Sequence, residues 1–240
     1  MRLRPLAALI LLLLPLGCGR PAAAPARPLV VLIGDSTTAG YGGAGGYVLA
    51  TETPLAAMTA LLPATSRWRK AEVVNLGIPS STTREWAVAS LRCKTAPELG
   101  PEVHAGLRLA ARACPTAAPL VDHVTALVGR PVDLALVVLG TNDPYREAAA
   151  TPDETVVHLR TIAAKLAPAR VLIASPFWTT HPARAAFVEA LATRLATAGL
   201  LRGPDFARIR LPLDASEVHL TFGGFVASNA LWLDALRALD

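Results

Sequence analysis

The sequence lacks a long run of basic residues, a G-K-[ST] phosphate loop and any internal repeat, and it has only three cysteines in 240 residues. The formal net charge of +5 falls by two if Arg2 and Arg4 are removed with a leader, and the other basic residues are spread along the chain. Nucleic acid is therefore not an expected partner. The histidines show no metal-ligand spacing, so we expect no metal site.

The N-terminus has the pattern of an export signal. Arg2 and Arg4 precede the apolar stretch Leu6–Leu16, which is too short to span a bilayer. The next residues end in Leu-Gly-Cys18 and resemble a bacterial lipobox, although Pro15 stands where such boxes usually have Leu. We therefore expect a signal peptide over 1–17, lipidation of Cys18, a Pro/Ala-rich tether over 18–27 and a protein that is anchored in the cell envelope. Ordinary cleavage after Ala24, which would give a secreted protein, is the alternative.

Cysteine usage fits an exported chain. If Cys18 is lipidated, Cys93 and Cys114 remain as an even pair in an oxidising compartment, and we predict a disulfide between them. Such a bridge would stabilise the fold by about 3 kcal/mol on the chain-entropy account. Two separately buried thiols are the alternative.

Residues 28–240 have the length and pattern of one α/β domain. The apolar run Leu29–Ile33 ends abruptly at Gly34, as a buried strand of a parallel sheet does. Further strands are expected over Glu72–Gly77, Val132–Leu139 and Val171–Ala174, with a weaker fifth strand between Phe206 and Leu211. Helical patterns alternate with these strands, which indicates a parallel sheet covered on both faces.

Six helices are expected between and after the strands. The strongest begins at Thr151, where a capping box and Pro152 coincide. The others are expected over Leu49–Leu62, through Trp86 to Leu91, over Val103–Ala113, over Pro182–Ala198, and from Gly224 to the C-terminus.

A formal G-x-G-x-x-G pattern occurs at Gly40, Gly42 and Gly45. In a dinucleotide fingerprint the first glycine follows the strand directly and opens a helix. Here the residues Asp35 to Ala39 intervene, so we interpret the segment as a loop that flanks a site. No cofactor is expected.

Polar residues follow four of the predicted elements near their carboxyl ends, namely Ser36, Gly77 with its turn, Asn142 and His219. The carboxyl ends of parallel strands meet at one edge of a sheet, where ligands bind in open α/β folds. A hydroxyl nucleophile needs a nearby base, and the developing oxyanion needs preorganised donors. The set therefore predicts acyl transfer, with Ser36 as nucleophile and His219 as base.

The segments Gly34-Asp35-Ser36, Gly77, Gly140-Thr141-Asn142-Asp143 and His219 stand in the order of the four blocks of the SGNH (GDSL-type) hydrolases. The first block is especially similar to that of the arylesterase and thioesterase-like members. The resemblance covers the chain from about residue 28 to the end. It implies a flavodoxin-like, three-layer α/β/α sandwich and metal-free ester hydrolysis through an acyl-serine. It also implies an oxyanion hole made by the N–H groups of Ser36 and Gly77 and the side chain of Asn142.

The sequence departs from this family at the catalytic acid. The family usually has Asp three residues before the histidine, and Ser216 occupies that position here. Asp214 and Glu217 are the nearby carboxylates, and a backbone carbonyl could also orient His219. Among these alternatives we favour Asp214 as the third catalytic residue.

The leading functional hypothesis is therefore an exported serine esterase, expected to be a monomer, that acts on a small-molecule, lipid or glycan ester. One alternative is an O-acyltransferase that passes the acyl group to a glycan. Another is a non-catalytic lipoprotein that binds a glycan or lipid through a decayed site, and it rests on the missing acid at Ser216.

Overall fold

A computed structural model of the protein describes residues 26–42, 46–47, 54–90, 104–145 and 149–240. Its strands alternate with helices along the chain. The strands are β1 Leu29–Gly34, β2 Tyr41–Gly42, β3 Gly46–Tyr47, β4 Glu72–Asn75, β5 Leu134–Val138 and β6 Arg170–Ile173. The α-helices are α1 Pro54–Met58, α2 Thr83–Ala87, α3 Ala105–Ala113, α4 Val124–Val128, α5 Pro152–Lys165, α6 Pro182–Thr197 and α7 Phe222–Arg237.

Four of the strands form one parallel sheet in the order β4-β1-β5-β6. Strand β1 lies in the middle, with Val31 opposite Val74 on one side and Ala135 on the other. Every residue of β1 is buried, which explains why its sequence is an unbroken apolar run rather than an alternating one. Strands β2 and β3 form a separate antiparallel pair. The parallel sheet covered by helices confirms the predicted α/β fold class.

The two faces of the sheet bury two different apolar cores. Alternate residues of a strand point to opposite faces, so Val31 and Ile33 pack on one side while Val30 and Leu32 pack on the other. Helices α2 to α6 contribute to the first core, and helices α1 and α7 cover the second. The result is three layers, helix–sheet–helix.

The predicted fifth strand between Phe206 and Leu211 is wrong. The chain makes a single parallel bridge between Ile173 and Leu201, and the N–H of Gly203 then donates to the Ile173 carbonyl. This turns the chain away from the sheet edge. Phe206–Arg208 is instead a short 3-10 helix whose Phe206 ring is fully buried.

The predicted helices largely correspond to those observed. The capping box at Thr151 is present, with Glu154 bonded back to the Thr151 N–H at 2.7 Å. Helix α1 ends at Met58 and is followed by the 3-10 helix Thr59–Leu61, while residues 48–53, where the predicted helix begins, lie outside the described residues. Helix α4 lacks a counterpart among the predictions.

The predicted signal peptide, lipidated Cys18 and most of the tether lie outside the described residues, as does Cys93. Cys114 follows directly after α3. The export signal, the anchor and the disulfide therefore stay predictions. Within the described ranges, every helix is too short or too polar to cross a membrane.

Candidate active site

The first candidate residue, Ser36, lies just past the carboxyl end of β1, in a tight turn. The N–H of Ala39 donates to the Asp35 carbonyl at 2.9 Å, and the N–H of Tyr41 donates to the Ser36 carbonyl at 2.9 Å. The N–H of Thr37 donates to the Asp35 carboxylate at 2.9 Å. These bonds fix the turn and leave the Ser36 side chain partly exposed at the sheet edge.

Two positions around this turn have no room for a side chain. A Cβ at Gly34 would lie 1.9 Å from Thr38 Oγ1, and one at Gly77 would lie 2.3 Å from the Ala39 backbone nitrogen. Asn75 ties the same two segments together, because its Nδ2 donates to the Thr38 carbonyl at 2.7 Å. The end of β4 therefore presses directly against the serine turn.

His219 is presented by a closed loop before α7. Leu213 and Leu220 form an antiparallel bridge at its ends, and the Asp214 N–H donates to the His219 carbonyl at 2.9 Å. The loop brings His219 Nε2 to 3.0 Å from Ser36 Oγ, although the two residues are 183 positions apart in the chain. The predicted nucleophile and base are thus in hydrogen-bond contact.

The other ring nitrogen of His219 contacts Ser216, the residue at the position of the expected acid. Ser216 Oγ lies 2.9 Å from His219 Nδ1 and donates to Asp214 Oδ1 at 2.5 Å. A carboxylate only accepts, so the hydroxyl proton of Ser216 points to Asp214 and its oxygen accepts from Nδ1–H. That tautomer leaves Nε2 unprotonated and able to accept the proton of Ser36.

Asp214 therefore reaches His219 through the Ser216 hydroxyl. The Ser216 N–H also donates to Asp214 Oδ1, at 2.8 Å, which fixes the carboxylate in the loop. Glu217, the other carboxylate considered, is exposed and has a backbone φ of 59°. Its carbonyl accepts from Thr179 Oγ1 at 2.5 Å, so Glu217 contributes backbone to the loop.

The environment of His219 favours the neutral ring. Burial lowers the pKa of His219 below its ordinary value, and the positive charge of Arg184 acts in the same direction, whereas the negative charge of Asp214 opposes them. A neutral imidazole at neutral pH is the form that can act as a base.

The three groups expected to donate to the oxyanion differ in whether they already have a hydrogen-bond acceptor. Within the described part of the chain, the Ser36 N–H has no acceptor. Asn142 Nδ2 donates to the Ser81 carbonyl at 3.1 Å, which leaves its second hydrogen for a substrate. The Gly77 N–H donates to Asn75 Oδ1 at 2.9 Å and is therefore engaged in this structure. Two of the three donors are open.

A family model described as GDSL-like lipase/acylhydrolase matches residues 30–185 of the chain, well over half of its length. The chain belongs to this family. As a GDSL-like (SGNH) protein it is a serine hydrolase of carboxylic esters. The match includes Ser36, Gly77 and Asn142 and ends before His219, which the folded loop brings into contact with Ser36. A search among curated proteins found no match.

Solved structures share the fold of this GDSL-like hydrolase. An aryl esterase from M. smegmatis has a TM-score of 0.58 and 18% identity, covering 89% of this chain and 100% of that chain. A carbohydrate acetylesterase from Sinorhizobium meliloti has 0.56 and 17%, covering 89% and 100%. A catalytic mutant of an acetylxylan esterase from Geobacillus stearothermophilus has 0.55 and 16%, covering 87% and 94%. At these identities the likeness shows the fold alone.

Asp143 holds the Asn142 turn of the GDSL-like hydrolase in place. Its buried carboxylate accepts from the backbone N–H of Thr83 at 2.9 Å, from the Thr83 hydroxyl, and from Thr155 Oγ1 at 2.7 Å. It thereby joins the end of β5 to helices α2 and α5. Burial raises the pKa of Asp143 despite these bonds. Asp143 therefore has a structural role, and keeping its carboxylate charged in this buried position costs free energy.

The sequence did not identify four residues that contribute to the site. They are Tyr41, Asn75, Arg184 and Ser216, which links His219 to Asp214. The Tyr41 ring meets the His219 ring edge-on, with centroids 5.3 Å apart, and shields it from one side. Asn75 was visible as a polar residue at the end of a strand, which is the signal that marked the other site residues. In the described residues, no group of three or more potential metal ligands occurs.

Asp35, next to the nucleophile, supports a stability prediction. Burial raises the pKa of Asp35 from 3.8 to about 6. A carboxyl whose pKa is higher in the folded state loses its stabilising contribution as pH rises, here between about pH 4 and 6. Asp35→Asn removes this ionisation and keeps an oxygen for Thr37 N–H. We expect the variant to exceed the parent in stability at pH 8 by about 2 kcal/mol, with a smaller difference at pH 4.5.

Thermal melts of the parent and Asp35→Asn at both pH values measure this effect, with the exposed Asp122→Asn as a matched control. If the melting temperatures of the parent and Asp35→Asn differ by the same amount at pH 4.5 and at pH 8, the pKa of Asp35 is not raised in the folded protein.

Proposed function

We propose that the protein is an exported serine esterase that works through an acyl-serine intermediate. The observation that carries the proposal is the chain of contacts from Ser36 Oγ to His219 Nε2, from His219 Nδ1 to Ser216 Oγ, and from Ser216 to Asp214. Every member is oriented so that a proton can leave Ser36 for the ring. This arrangement also weakens the decayed-site hypothesis, because a carboxylate still supports His219.

In the proposed reaction, His219 Nε2 takes the proton of Ser36 while Oγ attacks the ester carbonyl carbon. The Ser36 N–H and the free hydrogen on Asn142 Nδ2 stabilise the oxyanion that forms. When the tetrahedral adduct collapses, the alcohol leaves with the proton from His219, and Ser36 carries the acyl group. Water then repeats the sequence and releases the acid. Ser216 and Asp214 stabilise the imidazolium in both steps.

Small acyl esters are the proposed substrate class. The similar structures are named as an aryl esterase, a carbohydrate acetylesterase and an acetylxylan esterase, so acetyl esters of aryl or sugar alcohols are the first candidates.

Hydrolysis of p-nitrophenyl acetate by the purified protein, combined with labelling by a fluorophosphonate, tests the proposal. We expect turnover above the buffer rate and a single phosphonyl adduct, which peptide mass spectrometry should place on Ser36. Turnover without an adduct on Ser36 would contradict the acyl-serine mechanism. Free acid rather than an acylated sugar, in the presence of a glycan acceptor, separates hydrolysis from transfer.

The Ser216 relay gives a graded prediction. Ser216→Ala removes the acceptor of His219 Nδ1–H, and we expect kcat/KM to fall about 10- to 100-fold, the worth of one hydrogen bond to a charged group. Ser216→Asp restores a carboxylate at the family position and should retain more activity than Ser216→Ala. Equal activity of the parent and Ser216→Ala on p-nitrophenyl acetate would show that the relay has no catalytic role.

Export, lipidation of Cys18 and a Cys93–Cys114 disulfide complete the proposal. The N-terminal pattern supports export and lipidation, and the even pair of cysteines that remains in an oxidising compartment supports the disulfide. Intact mass of the mature protein tests the anchor, because an acylated Cys18 makes the chain heavier than the bare polypeptide that begins there. A cross-linked peptide that contains Cys93 and Cys114, present before reduction and absent after it, tests the disulfide.

A further inference from the structure

Arg184 lies at the start of α6, and hydrogen bonds through Thr179 and His181 join that start to the loop that carries His219. Thr179 Oγ1 donates to the Glu217 carbonyl, in the His219 loop, and accepts from the His181 N–H at 3.1 Å. The N–H of Arg184 donates to the His181 carbonyl at 2.9 Å. The segment that carries Arg184 is therefore fastened to the loop that carries the base.

The guanidinium of Arg184 also reaches the turn that carries Asn142. It lies over the Tyr145 ring, 4.8 Å from the ring centroid. The Tyr145 N–H donates to the Asn142 carbonyl at 3.1 Å, so Tyr145 belongs to the same turn. Stacking on a tyrosine that is 41% exposed holds the cation in one orientation at the rim of the site.

The electrostatic effects agree with this placement. The positive charge of Arg184 opposes the burial that raises the pKa of Asp35, and it adds to the burial that lowers the pKa of His219. Asp35 precedes the nucleophile in the turn, and His219 is the residue in hydrogen-bond contact with it. The charge of Arg184 therefore lies close enough to the serine turn to act on both of these residues.

Among the residues that the structure describes, the Arg184 side chain has no hydrogen-bond acceptor. Arg184 Nε is buried and lacks a hydrogen-bond partner, and across the described ranges no ion pair joins Arg184 to a carboxylate. Some other arginines do have such partners, among them Arg130 with Glu72, Arg194 with Asp153, and Arg208 with Asp205. Asp35 attracts the guanidinium but forms no ion pair with it. A desolvated donor without an acceptor is costly, so it indicates a missing partner.

The position of Arg184 in the first turn of α6 also points to an anionic partner. The N-terminal end of a helix is positive, and a cation there is normally disfavoured. The first turn of α6 has no acidic residue that would offset the charge. The planar guanidinium, with its fork of donors, matches the geometry of a carboxylate.

We propose that Arg184 is a binding subsite for a carboxylate carried by the substrate, so that this enzyme prefers esters with a carboxylate close to the ester bond. The proposal rests on the esterase function proposed above. The carboxylate can belong to the alcohol or to the acyl group, and the geometry requires only that it reach the guanidinium while the ester carbonyl is at Ser36 Oγ.

Two matched pairs of esters test the subsite. Phenyl acetate and 4-acetoxybenzoate differ by a carboxylate on the alcohol side, and p-nitrophenyl butyrate and p-nitrophenyl hemisuccinate differ on the acyl side. In the parent we expect kcat/KM to favour the anionic member of at least one pair. Arg184→Gln should lower that anionic-to-neutral ratio about tenfold, and Arg184→Lys should lower it less. The control Arg208→Gln, at an exposed ion pair, should leave the ratio as in the parent.

An anionic-to-neutral ratio that is the same in the parent and Arg184→Gln for both pairs would overturn the subsite and leave the esterase function intact. It would identify Arg184 as a structural counter-charge for Asp35. If the parent hydrolyses none of the four esters, the esterase proposal fails instead. Calorimetric binding of 4-acetoxybenzoate then decides on the subsite, since a Kd about tenfold weaker in Arg184→Gln supports it and an equal Kd refutes it. Circular dichroism shows whether each variant is folded, and Arg184→Lys replaces Arg184→Gln if that variant is unfolded.

Discussion

Ser36→Ala is expected to lower kcat for p-nitrophenyl acetate by about 10⁵-fold, to a level near the solution reaction. The variant keeps the turn, because the bonds that hold it come from the backbone and from Asp35 rather than from the Ser36 hydroxyl. What is lost is the oxygen that lies 3.0 Å from His219 Nε2 and can become the acyl carrier. A small residual rate from the oxyanion donors is consistent with this mechanism.

The matched control is Ser90→Ala, the same change at a serine outside the site. We expect it to hydrolyse the ester at the parental rate, and both variants to melt within a few degrees of the parent. If Ser36→Ala retains a tenth or more of the parental kcat while folded, Ser36 is not the nucleophile.

The second large effect is expected for His219→Gln, with kcat/KM reduced by at least about 10⁴-fold. Glutamine keeps polarity at the position but cannot accept the serine proton. Fluorophosphonate labelling of Ser36 should slow in parallel, because the reagent also requires an activated hydroxyl. His123→Gln is the control, since that imidazole contacts Thr116 at 3.2 Å, in a segment that carries no site residue.

The pH profile of the parent provides a readout of the same residue. Activity requires the neutral ring, so kcat/KM should rise with pH through the pKa of His219 and reach its plateau at higher pH. Burial lowers this pKa, so the midpoint of the acid limb should lie below pH 6.5. Asp214→Asn removes a charge that raises the pKa, and it should move the midpoint further down. A midpoint well above pH 6.5 would show that another group limits the reaction.

The parallel sheet and the positions of its main carboxyl ends could be predicted from the sequence, whereas the order of its strands was not. Long apolar runs that stop at glycine and short polar residues predict buried parallel strands. Ser36 and Asn142 follow two such strands, β1 and β5, at their carboxyl ends. The start of α5 could also be predicted, because a capping box at Thr151 is a local signal that does not depend on tertiary contacts.

The connections within the site depended on contacts that spacing does not reveal. The sequence offered Asp214 and Glu217 as candidate carboxylates, with Asp214 favoured, and only the folded loop shows that Ser216 stands between Asp214 and the ring. The bond from Gly77 N–H to Asn75 similarly follows from a side-chain rotamer. Arg184 lacked any motif, since its place beside Tyr145 arises from packing between two distant segments.

Ser36 and His219 are 183 residues apart in the chain, and this separation affects how the enzyme folds. Contacts of such large sequence separation carry the greatest loop-closure entropy and tend to form late in folding. A chain still being made, or one truncated before the final loop, can pair its central strands and still have no base beside its nucleophile. Recovery of ester hydrolysis during refolding thus reports the docking of the last segment onto the first, an event that secondary-structure signals would miss.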